Sequence, residues 1–383
     1  MTELERRALL PAGLRDGLPP EAAFEANTVE RLLAVFTGFG YERVKPPLIE
    51  FEDSLLAGAG AGMSPHTFRL MDPISQRMMG LRADMTPQIA RIAAFRLGQA
   101  PRPLRLSYAG EVLRVKGDQL RPERQFGQVG AELIGSAAAA ADSEVILMAA
   151  GALTAAGVEG LTVDLSLPAL VTTVLTKHAV AEADRVGLRQ ALERRDSAAI
   201  RAIATPATDV LDALLRAAGP ARAAIKALTQ IALPREALAE CRRMEEVVAA
   251  IEAVSPNLTI TVDPVENRGF DYETGLCFVF FAPGVRGELG RGGRYLANGL
   301  DQATEPATGF SLFTDSVLRA LPAPRPPRRL YLPHGTPASE SGKWRRQGWT
   351  TVSGLDAGVD AKAEARRLKC TDVLIGADVV ALD

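Results

Sequence analysis

The sequence predicts an α+β protein: an antiparallel sheet flanked by helices, with a helical insertion and a small C-terminal α/β unit. Three observations predict it. The stretch Leu106–Gly135, LSYAGEVLRVKGDQLRPERQFGQVGAELIG, sets two alternating segments around a polar connection, the pattern of an antiparallel hairpin with a longer loop. From about Leu170 to Ala253 the pattern is almost entirely helical, rich in Ala, Arg, Leu and Glu, with breaks at Pro206, Pro220 and Pro234. Strand patterns return at Leu258–Val265 and Phe270–Phe281. The expected organisation is a core over residues 1–320 with an insertion at about 170–255, a proline-rich linker over 321–328 and a small unit over 329–383.

Before the hairpin, residues 1–20 carry two Pro-Gly clusters and read as an extended lead-in. From Pro20 to about Thr37 the pattern is helical, with Phe24, Val29, Leu32, Leu33 and Phe36 as an apolar stripe and Gly38 or Gly40 as the stop. A short strand at Tyr41–Lys45 ends on Pro46-Pro47. The small-residue run at Gly58–Gly62 reads as a loop; without a GK[ST] ending or a strand before it, it is not a nucleotide motif. A hairpin is expected across Asp72-Pro73. A helix is then expected to start at Thr86-Pro87, with the threonine as N-cap and proline at the first helical position. After the hairpin, Ala137–Ala141 leads into a helix ending near Gly157, and Leu161–Leu167 is a strand. Thr308–Leu321 passes from strand to helix, and beyond the linker strand and helix signals alternate.

The 383 residues have a formal net charge of −2, with 47% hydrophobic and 23% charged residues. The near-neutral balance does not advertise nucleic-acid binding. Cys241, Cys277 and Cys370 are isolated from one another and from any His cluster, so neither a disulfide framework nor a metal site is expected. No signal-peptide pattern and no apolar run of membrane-spanning length is read, so a cytoplasmic protein with no membrane partner is expected.

The hairpin carries the chemistry. Side chains alternate along a strand, so Tyr108, Gly110, Val112 and Arg114 share one face, as do Arg124, Phe126, Gln128, Gly130, Glu132 and Ile134. An ordinary core face would hold Val, Ile and Leu. Here Arg, Gln and Glu are spaced by glycines, which leave room for a ligand against the backbone, although a solvated face explains the hairpin taken alone. Asp84, just before a helix start, suits a ligand amine as well as it suits helix capping. Arg268, Phe270, Tyr272, Thr274 and Leu276 fall on one face, and the Gly290–Gly293 turn brings Arg294 back beside them. A tight hairpin accounts for these glycines but not for both arginines.

Together these segments resemble the catalytic core of class II aminoacyl-tRNA synthetases, and of histidyl-tRNA synthetase in particular. Gly40–Pro47 resembles the first class II motif, which builds the dimer interface. The hairpin, with Arg114, Arg121, Arg124-Gln125-Phe126, Gln128 and Glu132, resembles the second. Arg268–Tyr272 (RGFDY) and Gly292–Tyr295 (GGRY) resemble two signatures of the histidine enzyme. The amino-acid side of that family's site is matched by Asp84 (Glu in the family), Thr86, Arg114, Gln128, Glu132, Arg268 and Tyr272, which the resemblance implies as histidine-binding residues. The ATP side is not matched. Lys116 stands where the second motif has Glu; Phe313 and Ser316 stand where the third has Gly and Arg; Glu273 replaces the second Tyr of RGxDYY. A hydroxyl cannot replace a guanidinium at a phosphate clamp.

This pattern of loss, with a C-terminal unit shorter than an anticodon-binding domain, resembles the family of ATP phosphoribosyltransferase regulatory subunits. The resemblance implies a chain without catalytic residues or cofactor. It would dimerise through the class II core and activate a short catalytic subunit in the first step of histidine biosynthesis. It would also take part in feedback inhibition by histidine, with tRNA not expected as a partner. A divergent histidyl-tRNA synthetase is the competing reading.

Overall fold

The structure is a computed structural model and describes residues 9–117, 121–266, 273–298, 304–324 and 326–382. The chain divides into two compact units, Met1–Pro322 and Ala323–Asp383. In chain order the strands of the first unit are β1 (Glu42–Arg43), β2 (Ile49–Phe51), β3 (Arg69–Met71), β4 (Met78–Leu81), β5 (Leu104–Leu113), β6 (Gln125–Ile134), β7 (Thr162–Ser166), β8 (Gly219–Pro220), β9 (Thr259–Asp263), β10 (Glu273–Phe281), β11 (Gly290–Asn298) and β12 (Thr304–Phe313). Among the described residues, β2, β4 and β3 form a small antiparallel sheet, and the other nine form one large sheet in the order β1-β5-β6-β12-β11-β10-β7-β9-β8. From β5 through β7 every pairing is antiparallel; the parallel pairs are β1 with β5 and β7 with β9. The hairpin read from the sequence is β5 and β6, paired from Leu104↔Ile134 to Leu113↔Gln125.

One face of the large sheet is covered by two 18-residue helices, Glu21–Gly38 and Ala139–Ala156. Leu32, Leu33 and Phe36 of the first and Val145, Met148 and Leu153 of the second are buried in one cluster with Val129, Ala131 and Leu133 of β6. The Phe36 ring meets Phe310 of β12 edge to face at 5.3 Å, the geometry that the aromatic quadrupole favours. Ala139–Ala156 is long and apolar enough to span a membrane by composition, contrary to the expectation that no segment would be. Burial of 61% of it inside the protein accounts for that composition.

Two local expectations change. Gly58–His66 forms a 3-10 helix rather than a loop. Thr86 is the first helical residue, with Pro87 behind it, rather than the N-cap. Its hydroxyl is directed instead to a carboxylate on the sheet, described below.

Between β7 and β9 lie the helices Pro168–Lys177, Glu182–Glu193, Ser197–Ile203, Thr208–Arg216, Ala221–Leu228 and Arg235–Val254, joined to the sheet edge through β8. The second unit contains β13 (Arg329–Leu332), β14 (Thr350–Ser353), β15 (Asp372–Ile375) and β16 (Asp378–Ala381) in the order β14-β13-β15-β16, with helices Ala338–Arg346 and Ala361–Arg367. Asp360 caps the latter by accepting from the Ala363 N–H at 2.7 Å.

Candidate functional site

The face of the large sheet opposite the two long helices carries the candidate residues, and strand register explains why. In antiparallel pairs, residues directly opposite point to the same side. Glu132 pairs with Gly309, Gly309 with Gly293 and Gly293 with Cys277. One step along the strands, Gly130 pairs with Ser311 and Ser311 with Arg291; in the other direction, Tyr295 pairs with Ala307 and Glu273. Gln128, Glu132, Ser311, Arg291, Tyr295 and Glu273 are thereby gathered on one side from four strands. Two glycines make the space. A Cβ on Gly309 would collide with the Glu132 carboxylate, and one on Gly130 would collide with the Phe310 carbonyl and the Tyr108 hydroxyl.

Glu132 is the centre of this face. It is 1% exposed, and burying a carboxylate costs several kcal/mol unless hydrogen bonds offset the cost. Three hydroxyls supply them. Thr86 Oγ1 donates to Oε1 at 3.0 Å, Tyr108 OH to Oε1 at 3.1 Å and Tyr295 OH to Oε2 at 3.0 Å. Burial nevertheless prevails: it pushes the Glu132 carboxyl up to about 8, the charge of Asp84 adds to the rise, and the three hydroxyl bonds oppose it. Tyr108 and Tyr295 are raised well above their ordinary value, first by burial and then by the Glu132 charge, so both remain donors.

Gln128 joins this group to Asp84. Its Oε1 accepts from the Met85 N–H at 2.9 Å, while Nε2 donates to Asp84 Oδ1 at 2.8 Å and to Ser311 Oγ at 2.6 Å. Asp84 Oδ1 also accepts the Thr86 N–H at 3.2 Å, the turn contact expected of a carboxylate before a helix. Its second oxygen, Oδ2, is buried without a hydrogen-bond partner, an arrangement that a ligand ammonium would relieve. Beside this cluster lies a small cleft lined by Thr86, Glu132, Glu273, Arg291, Tyr295 and Ser311 together with Gly292, Gly293, Gly309 and Phe310.

At the other end of the hairpin the chemistry is different. Arg114 follows β5, with Nε directed at the Ala83 carbonyl at 3.4 Å and its guanidinium 5.1 Å from the Phe126 ring centre. Lys116 is exposed. Arg121 is buried and lies over Phe313 at 3.9 Å and Phe126 at 4.7 Å, while those two rings meet edge to face at 5.8 Å. Arg121 Nε is 3.3 Å from Asp315 Oδ2, and Nη2 donates to Ser316 Oγ at 3.1 Å. Phe313 and Ser316, the two third-motif departures, are therefore both in contact with one arginine of the second motif.

The structure brings Asp84, Thr86, Gln128 and Glu132 together and sets Arg114 beside the Asp84 segment; Arg268 and Tyr272 lie outside the described residues. Arg294 requires a correction. It does not share the candidate face, because it pairs with Thr308, which pairs with Leu133 on the side of the long helices. There Nη2 pairs with Asp142 Oδ1 at 2.9 Å and bonds the Ala138 carbonyl at 3.0 Å, and Nη1 bonds the Ser136 carbonyl at 2.9 Å. Arg294 ties helix to sheet. Its neighbour Tyr295 is the residue that reaches Glu132, and Ser311 and Glu273 are further residues of the face that sequence reasoning did not select. GGRY and the Glu273 departure were the available signals.

A fold and pocket of this kind define a protein of the class II aminoacyl-tRNA synthetase type, and a family model described as histidyl-tRNA synthetase matches residues 13–317. The crystal structure of an ATP phosphoribosyltransferase regulatory subunit/histidyl-tRNA synthetase from Bacillus halodurans superposes with a TM-score of 0.82 at 25% identity, covering 96% of this chain and 97% of that one. Histidyl-tRNA synthetase from Nostoc shares the fold at a TM-score of 0.78 and 17% identity, over 96% of this chain and 91% of that one. Among named proteins, ATP phosphoribosyltransferase regulatory subunits from Rhodospirillum centenum and Paramagnetospirillum magneticum are each 58% identical. The first match covers 96% of this chain and 95% of the relative, the second 97% of both. The chain belongs to the family of ATP phosphoribosyltransferase regulatory subunits.

Proposed function

We propose that this chain binds and activates a short catalytic ATP phosphoribosyltransferase subunit in the first step of histidine biosynthesis, and takes part in its feedback inhibition by histidine. One contrast carries the reading. The amino-acid side of the synthetase site is kept as an ordered polar pocket around Glu132. On the ATP side, Phe313 and Ser316 engage Arg121 instead of supplying a phosphate clamp. Asp84 Oδ2 suits the ammonium of histidine, Glu132 suits an imidazole N–H, and Arg114 suits the carboxylate. Arg268 and Tyr272 complete the proposed set on family grounds. The chain itself performs no catalysis and needs no cofactor in this reading. It dimerises through the class II core, and its net charge of −2 disfavours tRNA as a partner.

Feedback control requires a coupling free energy between histidine and the state of the catalytic partner, and that coupling is reciprocal. Mixing the purified chain with the catalytic subunit should give a hetero-oligomer on size exclusion. Separate elution at micromolar concentration contradicts the proposal. Histidine-dependent exchange of pyrophosphate into ATP by this chain alone should be absent; its presence would favour a divergent histidyl-tRNA synthetase.

A further inference from the structure

We infer that Ser311 is a positioning residue for the ligand's ammonium group: it holds the Gln128 amide so that Asp84 Oδ2 stays available to that group. The inference rests on the proposal that histidine binds there. Strand register creates the contact. Tyr108 of β5 and Ser311 of β12 both pair with Gly130 of β6, and a Cβ on that glycine would collide with the Tyr108 hydroxyl. Without one, the Tyr108 and Ser311 hydroxyls meet across β6 at 2.9 Å.

The direction of each hydrogen bond follows from what each group can donate. The Met85 N–H donates to Gln128 Oε1 and thereby turns the amide NH2 toward Asp84 Oδ1 and Ser311 Oγ. An amide nitrogen only donates, so Ser311 accepts from Gln128 and keeps its own proton for Tyr108. Tyr108 in turn donates to Glu132 Oε1 at 3.1 Å or to the Phe310 carbonyl at 3.3 Å. A protonated carboxyl retains an accepting oxygen, so this order holds whether or not Glu132 carries its proton. With alanine in place of Ser311, one N–H of the buried Gln128 amide has no acceptor. The amide relieves that cost by turning away from Asp84. Asp84 Oδ1 then keeps only the Thr86 N–H, and the carboxylate loses its fixed orientation.

The test is calorimetry on the full chain with L-histidine and with imidazolepropionate, which keeps the ring and the carboxylate but lacks the ammonium. The wild-type chain should bind histidine at least about tenfold more tightly, the contribution of one hydrogen bond to a charged group. Ser311→Ala should reduce that ratio at least about fivefold, through weaker histidine binding, and leave imidazolepropionate within about twofold. A merely structural role would weaken both ligands alike; equal losses, or an unchanged ratio, overturn the inference. Gln128→Leu, which removes the amide itself, should repeat the selective loss and decides the question even if Ser311→Ala does not fold. The wild-type ratio in folded Gln128→Leu overturns the inference. Equal affinity of the wild-type chain for the two ligands also overturns it, with histidine binding intact. Failure of the wild-type chain to bind histidine overturns the inference together with the proposal beneath it.

Discussion

The Arg121 guanidinium donates to the Ser316 hydroxyl at 3.1 Å, joining the second-motif hairpin to the helix that follows β12. Arg319 donates to the same hydroxyl at 3.1 Å and to Asp315 at 3.1 Å, so two cations already converge on one serine and one carboxylate. Residues that look in the sequence like simple losses from an ATP site are parts of a new internal contact.

Restoring the missing arginine should therefore fail. Ser316 is 1% exposed, and Ser316→Arg would force a third guanidinium into a filled site. The variant should be destabilised by about 2–4 kcal/mol in chemical denaturation and still show no histidine-dependent pyrophosphate exchange. Exchange in this variant would mean that the nucleotide side needs only one residue to work.

Gly309→Ala should damage the amino-acid side selectively. The added methyl displaces the Glu132 carboxylate from its hydroxyls. Overpacking of this kind costs about 1–3 kcal/mol, so calorimetry should show histidine affinity reduced at least about tenfold. Unchanged affinity would place the ligand elsewhere.

Glu132 should also give stability a recognisable pH dependence. Its folded carboxyl titrates at about 8, above its ordinary value of 4.5, so the folded state holds a proton that the unfolded state has released. The associated stabilisation is fully present below the ordinary value and is lost as pH rises to about 8. In scanning calorimetry without ligand, Tm should fall more steeply between about pH 5 and 8 for the wild-type chain than for Glu132→Gln. Parallel profiles would show Glu132 ionising as an exposed carboxylate does.

Arg294 was the misleading residue of the GGRY segment, and its role is separable from binding. Asp142→Ala would leave its guanidinium, 7% exposed as a residue, without its carboxylate partner. Such a loss costs about 3–5 kcal/mol. Denaturation should register it while calorimetry on the folded fraction shows histidine affinity unchanged. An affinity loss without destabilisation would return Arg294 to the binding site.

What was legible in the sequence follows from what is local. The hairpin alternation gave the right companions for Glu132 on β6, because the faces of a strand are set by a period of two. The Asp84–Thr86 turn was legible as a helix start for similar reasons. Which face of β11 meets which face of β6 is set by register across β12, and nothing local decides between Arg294 and Tyr295. The contact of Ser311 with Gln128 and the stacking of Arg121 on Phe313 likewise join distant parts of the chain. Lys116, Phe313 and Ser316 could be recognised as departures; only the fold shows what Phe313 and Ser316 do instead.

The central claim, a kept amino-acid pocket in a chain that regulates another enzyme, is tested most directly by the phosphoribosyltransferase rate of the short catalytic subunit with and without this chain. The rate should rise on adding the chain at micromolar concentration, and histidine should lower it again. A catalytic subunit that forms no complex with the chain, or runs no faster within one, would contradict the account.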